Sequence, residues 1–142
     1  MPTWLLLNGP NLNMLGQRDR SQYGSETLPE IEAMVQSIAE ANGITLAKCQ
    51  SNHEGVLIDW LQQGQQYDGI IFNPGGYSHT SIAIRDAIAS IDTPVIEVHL
   101  SNIHNRESFR HHSYVSAVAS GQIVGLGALS YKLAAYALLE KM

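Results

Sequence analysis

Glu97 and His99 stand two residues apart near the end of an apolar run, Pro94-Val95-Ile96-Glu97-Val98-His99-Leu100-Ser101-Asn102. On a β-strand, residues i and i+2 point to the same face. The spacing therefore pairs a carboxylate with an imidazole at the C-terminal edge of a strand. Histidine changes charge near neutral pH, and a neighbouring carboxylate orients it, so the pair suits proton transfer. A strand end that merely carries polar residues has the same spacing, and the pair alone does not separate the two readings.

Two other segments collect polar side chains. Between Gly9 and Glu26 lie Asn11, Asn13, Arg18, Arg20 and Tyr23, and after Ile70-Ile71-Phe72 come Asn73, Gly75, Gly76, Ser78 and His79. Beyond His99 the chain adds Ser101, Asn102, His104, Arg106 and Arg110. Amides, hydroxyls, guanidiniums and imidazoles in this mixture suit a small, heavily hydroxylated anion. An arginine held against a phenol favours the tyrosinate. Arg18 beside Tyr23 makes Tyr23 a candidate base, although an isolated loop tyrosine is usually packing. Arg20 could serve the same purpose or be solvated.

The elements that must position these groups alternate along the chain. Strands are expected over Thr3–Asn8, Ile44–Gln50, Gly69–Asn73, Val95–His99 and Ile123–Leu126. Helices are expected over Thr27–Ala41, Glu54–Gln63, Ser81–Ser90, Ser113–Ala119 and Leu129–Lys141. Thr27 with Glu30 three residues on is a capping-box pattern, and Gly43 ends that helix. Strands separated by helices predict an α/β fold: a flavodoxin-like three-layer sandwich on a five-stranded parallel sheet of order 2-1-3-4-5. In that order strands one, three and four are neighbours, and their C-terminal loops surround one crevice, where open α/β sheets bind ligands. Two of those loops are long, as functional lids and binding loops usually are.

The chain of 142 residues fits one domain, with a formal net charge of −5 and no basic run that would serve nucleic acid. Cys49 is the single cysteine, which leaves no internal disulfide and reads as a small core residue. Trp4-Leu5-Leu6-Leu7 is too short for a signal segment, and no apolar run approaches the roughly 20 residues of a membrane span. A soluble, cytoplasmic protein is expected. No Gly-x-Gly-x-x-Gly follows the first strand and no Gly-Lys-Ser/Thr follows any strand, so dinucleotide and P-loop readings fail. Pro74-Gly75-Gly76 could offer backbone N–H groups to an anion but is as often a plain turn. His99, His104, His111 and His112 could be imagined around zinc, yet their spacing matches no metal signature. A zinc-dependent hydrolase and a non-catalytic binding or signalling domain are the rival classes. The second lacks the clustered acids of a phosphoacceptor site, since asparagines stand there. His53 reads as a helix N-terminal residue, and Met14, Met34, Tyr131 and Tyr136 read as packing.

Three segments in order carry a resemblance. Asn8-Gly9-Pro10-Asn11-Leu12-Asn13-Met14-Leu15-Gly16 with Arg18 and Tyr23-Gly24 is similar to the N-terminal signature of the type II 3-dehydroquinate dehydratases. Asn73-Pro74-Gly75-Gly76-Tyr77-Ser78-His79-Thr80-Ser81 resembles their second motif. Glu97 to His104, with Arg106 and Phe109-Arg110, resembles the third, and the similarity spans essentially the whole chain. The resemblance implies a cofactor-free trans-dehydration of 3-dehydroquinate to 3-dehydroshikimate, in aromatic biosynthesis or in quinate breakdown. It implies that Tyr23, ionised with help from Arg18, removes a proton beside the ketone, and that a water held on Asn11 stabilises the enolate. His99, oriented by Glu97, would protonate the departing hydroxyl. Asn73, His79, Leu100, Ser101 and Arg110 would hold the ring hydroxyls and carboxylate. Asp86 would enter a neighbouring subunit's site, in a dodecamer built of trimers. The chain departs from the family at Arg18-Asp19-Arg20, where Arg-Glu-Pro is usual. A proline restricts its own φ and its predecessor's ψ, so Arg20 is expected to leave the lid more mobile when empty.

Overall fold

Five short apolar runs become five parallel strands in the computed structural model, which describes residues 1–142. They are β1 (Thr3–Asn8), β2 (Thr45–Gln50), β3 (Gly69–Asn73), β4 (Val95–His99) and β5 (Gly121–Val124), in sheet order β2-β1-β3-β4-β5. The flavodoxin-like order expected from the alternation is the order observed. Helices cover both faces, so an interior strand must be apolar on both sides. Trp4, Leu5, Leu6 and Leu7 accordingly have no exposed surface, whereas half the residues of the edge strand β2 are only partly covered.

The sheet divides two cores. Trp4, Leu6, Ile71, Ile96 and Val98 face α2 (Leu28–Ala41) and α5 (Leu129–Lys141). Leu5, Leu7, Ile70, Phe72 and Val95 face α3 (Glu54–Gln62) and α4 (Ile82–Ala89). Period-two alternation along each strand produces this sorting. The helix starts follow local chemistry. Thr27 Oγ1 accepts from the Glu30 N–H while Glu30 reaches back to the Thr27 N–H, completing the expected capping box. Ser81 caps α4 through the Ile84 N–H at 2.9 Å.

Two expectations differ from the structure. The last strand begins at Gly121, two residues early, because Glu97 pairs with Gln122 and His99 with Val124; it ends where Gly125 takes φ 87°. The segment 113–119 forms turns instead of a helix. Its two serines bind the local backbone: Ser113 Oγ accepts from the Ser116 N–H and Ser116 Oγ donates to the Ser113 carbonyl. Such bonds compete with helix hydrogen bonding. The chain also forms a short helix not expected from its pattern, α1 (Arg20–Tyr23), inside the long loop after β1. No helix is long and apolar enough to cross a membrane.

Candidate active site

The C-terminal ends of β1, β3 and β4 open into one cleft of about 600 Å3, mouth included, lined by residues from all three following loops. Close contact between the first two loops depends on glycine. The Gly9 N–H donates to the Asn73 carbonyl at 2.7 Å, and a Cβ on Gly9 would stand 2.6 Å from the Pro74 carbonyl oxygen. Two residues on, Asn11 has φ 69°, the only non-glycine in the left-handed region. Asparagine tolerates that region better than most residues. Its backbone N–H is held by Asn52 Oδ1 at 3.0 Å, and Asn11 itself lines the cleft.

The lid carries Arg18 and Tyr23. Asp19 caps α1, its carboxylate accepting from the Ser21 N–H and hydroxyl at 3.1 and 2.6 Å. The Ser21 hydroxyl bond, with further backbone bonds, holds the Asp19 carboxyl below its usual range. Arg20 Nε donates to the Gly16 carbonyl at 3.1 Å. A hydrogen bond thus ties the loop after β1 at Arg20. Arg18 lies over the Tyr23 ring, its Cζ 3.9 Å from the ring centroid. The direct partner of the phenol oxygen is a different arginine: Arg106 Nη1 donates to Tyr23 Oη at 2.8 Å and to Ser101 Oγ at 3.1 Å. Two cations therefore surround one phenol, one over its face and one at its oxygen.

The β4 end is built differently. His99 Nε2 donates to Glu97 Oε2 at 2.6 Å, and both side chains are buried. Glu97 also accepts from Ser113 Oγ at 2.7 Å and Gln122 Nε2 at 3.1 Å. A buried carboxylate requires such donors. Because Nε2 is committed to Glu97, Nδ1 is the His99 nitrogen left for a ligand. His99 lines the cleft, while Glu97 stands behind it.

His79 lies 5.9 Å from His99, ring to ring. Its Nδ1 donates to the His112 carbonyl at 2.8 Å, which leaves Nε2 to accept. Burial, and then the charges of His99 and Arg110, hold the His79 pKa below its ordinary value against the opposing pull of that carbonyl. Asn73, Leu100, Ser101 and Arg110 complete the lining. Glu107 braces the outer rim, 2.9 Å from Arg110 Nε and 3.6 Å from Arg106 Nε. The Arg110 hydrogen bond keeps the Glu107 carboxyl below its usual range.

The cleft thus gathers Asn11, Arg18, Tyr23, Asn73, His79, His99, Leu100, Ser101 and Arg110, with Glu97 directly behind. Asp86 does not join them: it is exposed on α4, paired with Arg85 at 2.9 Å. Arg106 is the contact the sequence reading left without a role, although it stood inside the third motif. Gln122 was obscured by the misplaced start of β5; its register opposite Glu97 is the signal that would have found it. His104 and His111 approach only to 6.2 Å between ring centroids, and no three His, Cys, Asp or Glu side chains are grouped to hold a metal ion.

A doubly wound parallel sheet with an arginine-rich, hydroxyl- and amide-lined cleft at its switch point defines an α/β protein built for a small polyhydroxylated anion. The chain belongs to the class II dehydroquinase family, whose model matches residues 2–139. It is 58% identical to a 3-dehydroquinate dehydratase of Bacillus cereus (strain AH820) over 139 residues, 97% of this chain and 95% of that one. The type II dehydroquinase of Butyrivibrio crossotus DSM 2876 superposes with a TM-score of 0.94 at 44% identity, covering 97% of each chain. That of Propionibacterium acnes gives 0.94 at 39% identity, covering 99% of this chain and 97% of its own.

Proposed function

We propose that residues 1–142 form a single catalytic domain that dehydrates 3-dehydroquinate to 3-dehydroshikimate, serving the shikimate pathway or quinate catabolism. The observation that carries the reading is the Tyr23 phenol held between two guanidiniums in the same cleft as the His99–Glu97 pair. The phenol oxygen faces the cleft's polar lining, where as tyrosinate it is the group that would accept a proton. Tyr23 takes the proton from the carbon beside the ketone, and the electron pair moves onto the ketone oxygen. A water held by Asn11 donates to the enolate oxygen. The enolate then collapses, the C–O bond of the hydroxyl breaks, and a proton from His99 Nδ1 lets it leave as water. Glu97 stabilises the imidazolium from which that proton comes. Arg18 over the ring and Arg106 at the oxygen hold Tyr23 in place. Asn73, His79, Leu100, Ser101 and Arg110 hold the ring hydroxyls and carboxylate. No cofactor or metal enters this scheme.

The deciding experiment is direct. Purified protein incubated with 3-dehydroquinate should develop the conjugated-enone absorbance of the product, and dialysis against EDTA should leave the rate unchanged. No absorbance rise would end this reading, and activity restored by zinc after EDTA would favour a metal-dependent hydrolase.

Assembly belongs to the same proposal. The protein is expected in the cytoplasm as a homododecamer of trimers, in which Asp86 reaches a neighbour's cleft. Exposure of Asp86 away from its own cleft supports this, as does exposed Ile82 on the same helix. The expected result is a sedimenting mass far above the 15.5 kDa chain, with Asp86→Ala weakening substrate binding or assembly. A fully active monomer would refute it.

A further inference from the structure

We propose that Tyr131, on α5, is a positioning residue for the cleft: its buried hydroxyl anchors the Nδ2 end of the Asn73 carboxamide, whose oxygen the Gly75 N–H holds, and so fixes where that amide meets the substrate. The proposal rests on the reading of Asn73 as a substrate ligand.

Tyr131 has no exposed surface and belongs to the core beneath α2 and α5. A packing role would need only its ring. Its oxygen, however, lies between two asparagines at the ends of adjacent strands. Tyr131 Oη donates to Asn8 Oδ1 at 2.6 Å and accepts from Asn73 Nδ2 at 2.8 Å. Asn8 and Asn73 are register partners across β1 and β3. On its other side, Asn73 Oδ1 accepts the Gly75 N–H at 3.0 Å.

Counting protons gives this chain its direction. A backbone N–H can only donate, so the Asn73 atom facing Gly75 must be the oxygen. The nitrogen then faces Tyr131 and must donate to it. The tyrosine has one proton, and with its oxygen already accepting, that proton goes to Asn8. Reversing Asn73 would set an amide N–H against the Gly75 N–H and leave Tyr131 without a donor. Burial pushes ionisation of the Tyr131 hydroxyl far above its ordinary range, so it keeps the proton this direction requires. Asn73 itself is buried apart from its edge on the cleft. Its amide therefore reaches the substrate in one orientation, with its remaining N–H as the free donor. The same oxygen joins the strand ends from which the Asn11 and His79 loops depart.

Tyr131→Phe keeps the ring and removes the oxygen. With 3-dehydroquinate, KM should rise about tenfold, the order expected for one buried hydrogen bond, while kcat changes by less than about threefold. In an Asn73→Ala background the same substitution should add less than about twofold, because its effect passes through Asn73. Asn8→Ala reaches the bond from its other end, by taking away the acceptor of the tyrosine proton and so loosening the hydroxyl, and should raise KM in the same direction even if Tyr131→Phe folds poorly. An unchanged KM, or an equal factor in both backgrounds, would overturn the proposal. A crystal structure of Tyr131→Phe should show the Asn73 carboxamide displaced from the Gly75 N–H; an unmoved carboxamide would overturn it without reference to turnover. If the wild-type protein does not turn over 3-dehydroquinate, the activity reading has failed, and the crystal structure alone decides the placement of Asn73.

Discussion

The two sides of the cleft hold Tyr23 and His99 by opposite means. His99 is set by the sheet: it ends β4, its partner Glu97 is two residues back on the same face, and Glu97 is fastened by Ser113 and by Gln122 across the strand pair. Tyr23 is set by a loop: a helix of four residues, an exposed aspartate cap and two arginines keep it in place. The histidine side is buried and over-determined. The tyrosine side is partly exposed and held by charge, which salt and solvent weaken. A site made this way can let the loop that carries Tyr23 move while His99 stays fixed.

The largest expected effect lies on the loop side. Tyr23→Phe removes only the oxygen proposed as the base and should lower kcat by roughly 10²–10⁴-fold or more, the range for general-base loss, with substrate still binding. Turnover near the wild-type rate would place the base elsewhere and dissolve the contrast between the two sides. On the sheet side, Glu97→Gln preserves shape but cancels the charge behind His99. Loss of a charged hydrogen-bond partner predicts a fall in kcat of about tenfold to a hundredfold, together with a lower unfolding temperature, since three donors would face an amide. A loss of stability with unchanged kcat would make the pair structural.

The same contrast explains what the sequence disclosed. Glu97 and His99 were legible because the strand period relates residues two apart, and the flanking Val95, Ile96 and Val98 announce the strand. The sheet order was legible because strand and helix patterns alternate cleanly from Trp4 to Leu139. Tyr23 was legible as a candidate but its surroundings were not: Arg106 reaches it from 83 residues away, and no periodicity links a lid helix to a distant loop. Gln122 and Ser113 were missed for a related reason. Their function depends on strand register and on a turn that a helical pattern at Ser113–Ala119 disguised. Tyr131 looked like packing because its ring is packing, and only its oxygen has another role.

A smaller effect should separate lid from chemistry. Asp19→Ala removes the cap of α1, leaving the Ser21 N–H and hydroxyl without their acceptor. KM is expected to rise severalfold, with the unfolding temperature of the whole protein unchanged. The cap lies on an exposed segment that the core does not need. A drop in global stability would show that the lid is part of the folded core and not a separable element.

The smallest expected effect concerns His79, which stands on the sheet side beside His99. Its ordinary value is 6.5, and burial holds it lower in the folded protein. The unfolded chain therefore binds a proton more readily than the folded one once the pH falls below that value. Stability contributed by the neutral imidazole is complete above pH 6.5 and is lost as the pH falls from there through the depressed folded value. Because its Nδ1–H is already given to the His112 carbonyl, protonation adds a second N–H at Nε2, the atom available to accept from a substrate hydroxyl. Binding should therefore weaken over the same interval. His79→Gln removes the titrating proton and should flatten this part of both the stability and the KM profiles against pH. If the acid-side decline persists undiminished in His79→Gln, it belongs to another group, with the His99–Glu97 pair the first to examine. The sheet side would then be the pH-sensitive half through that pair and not through its neighbour.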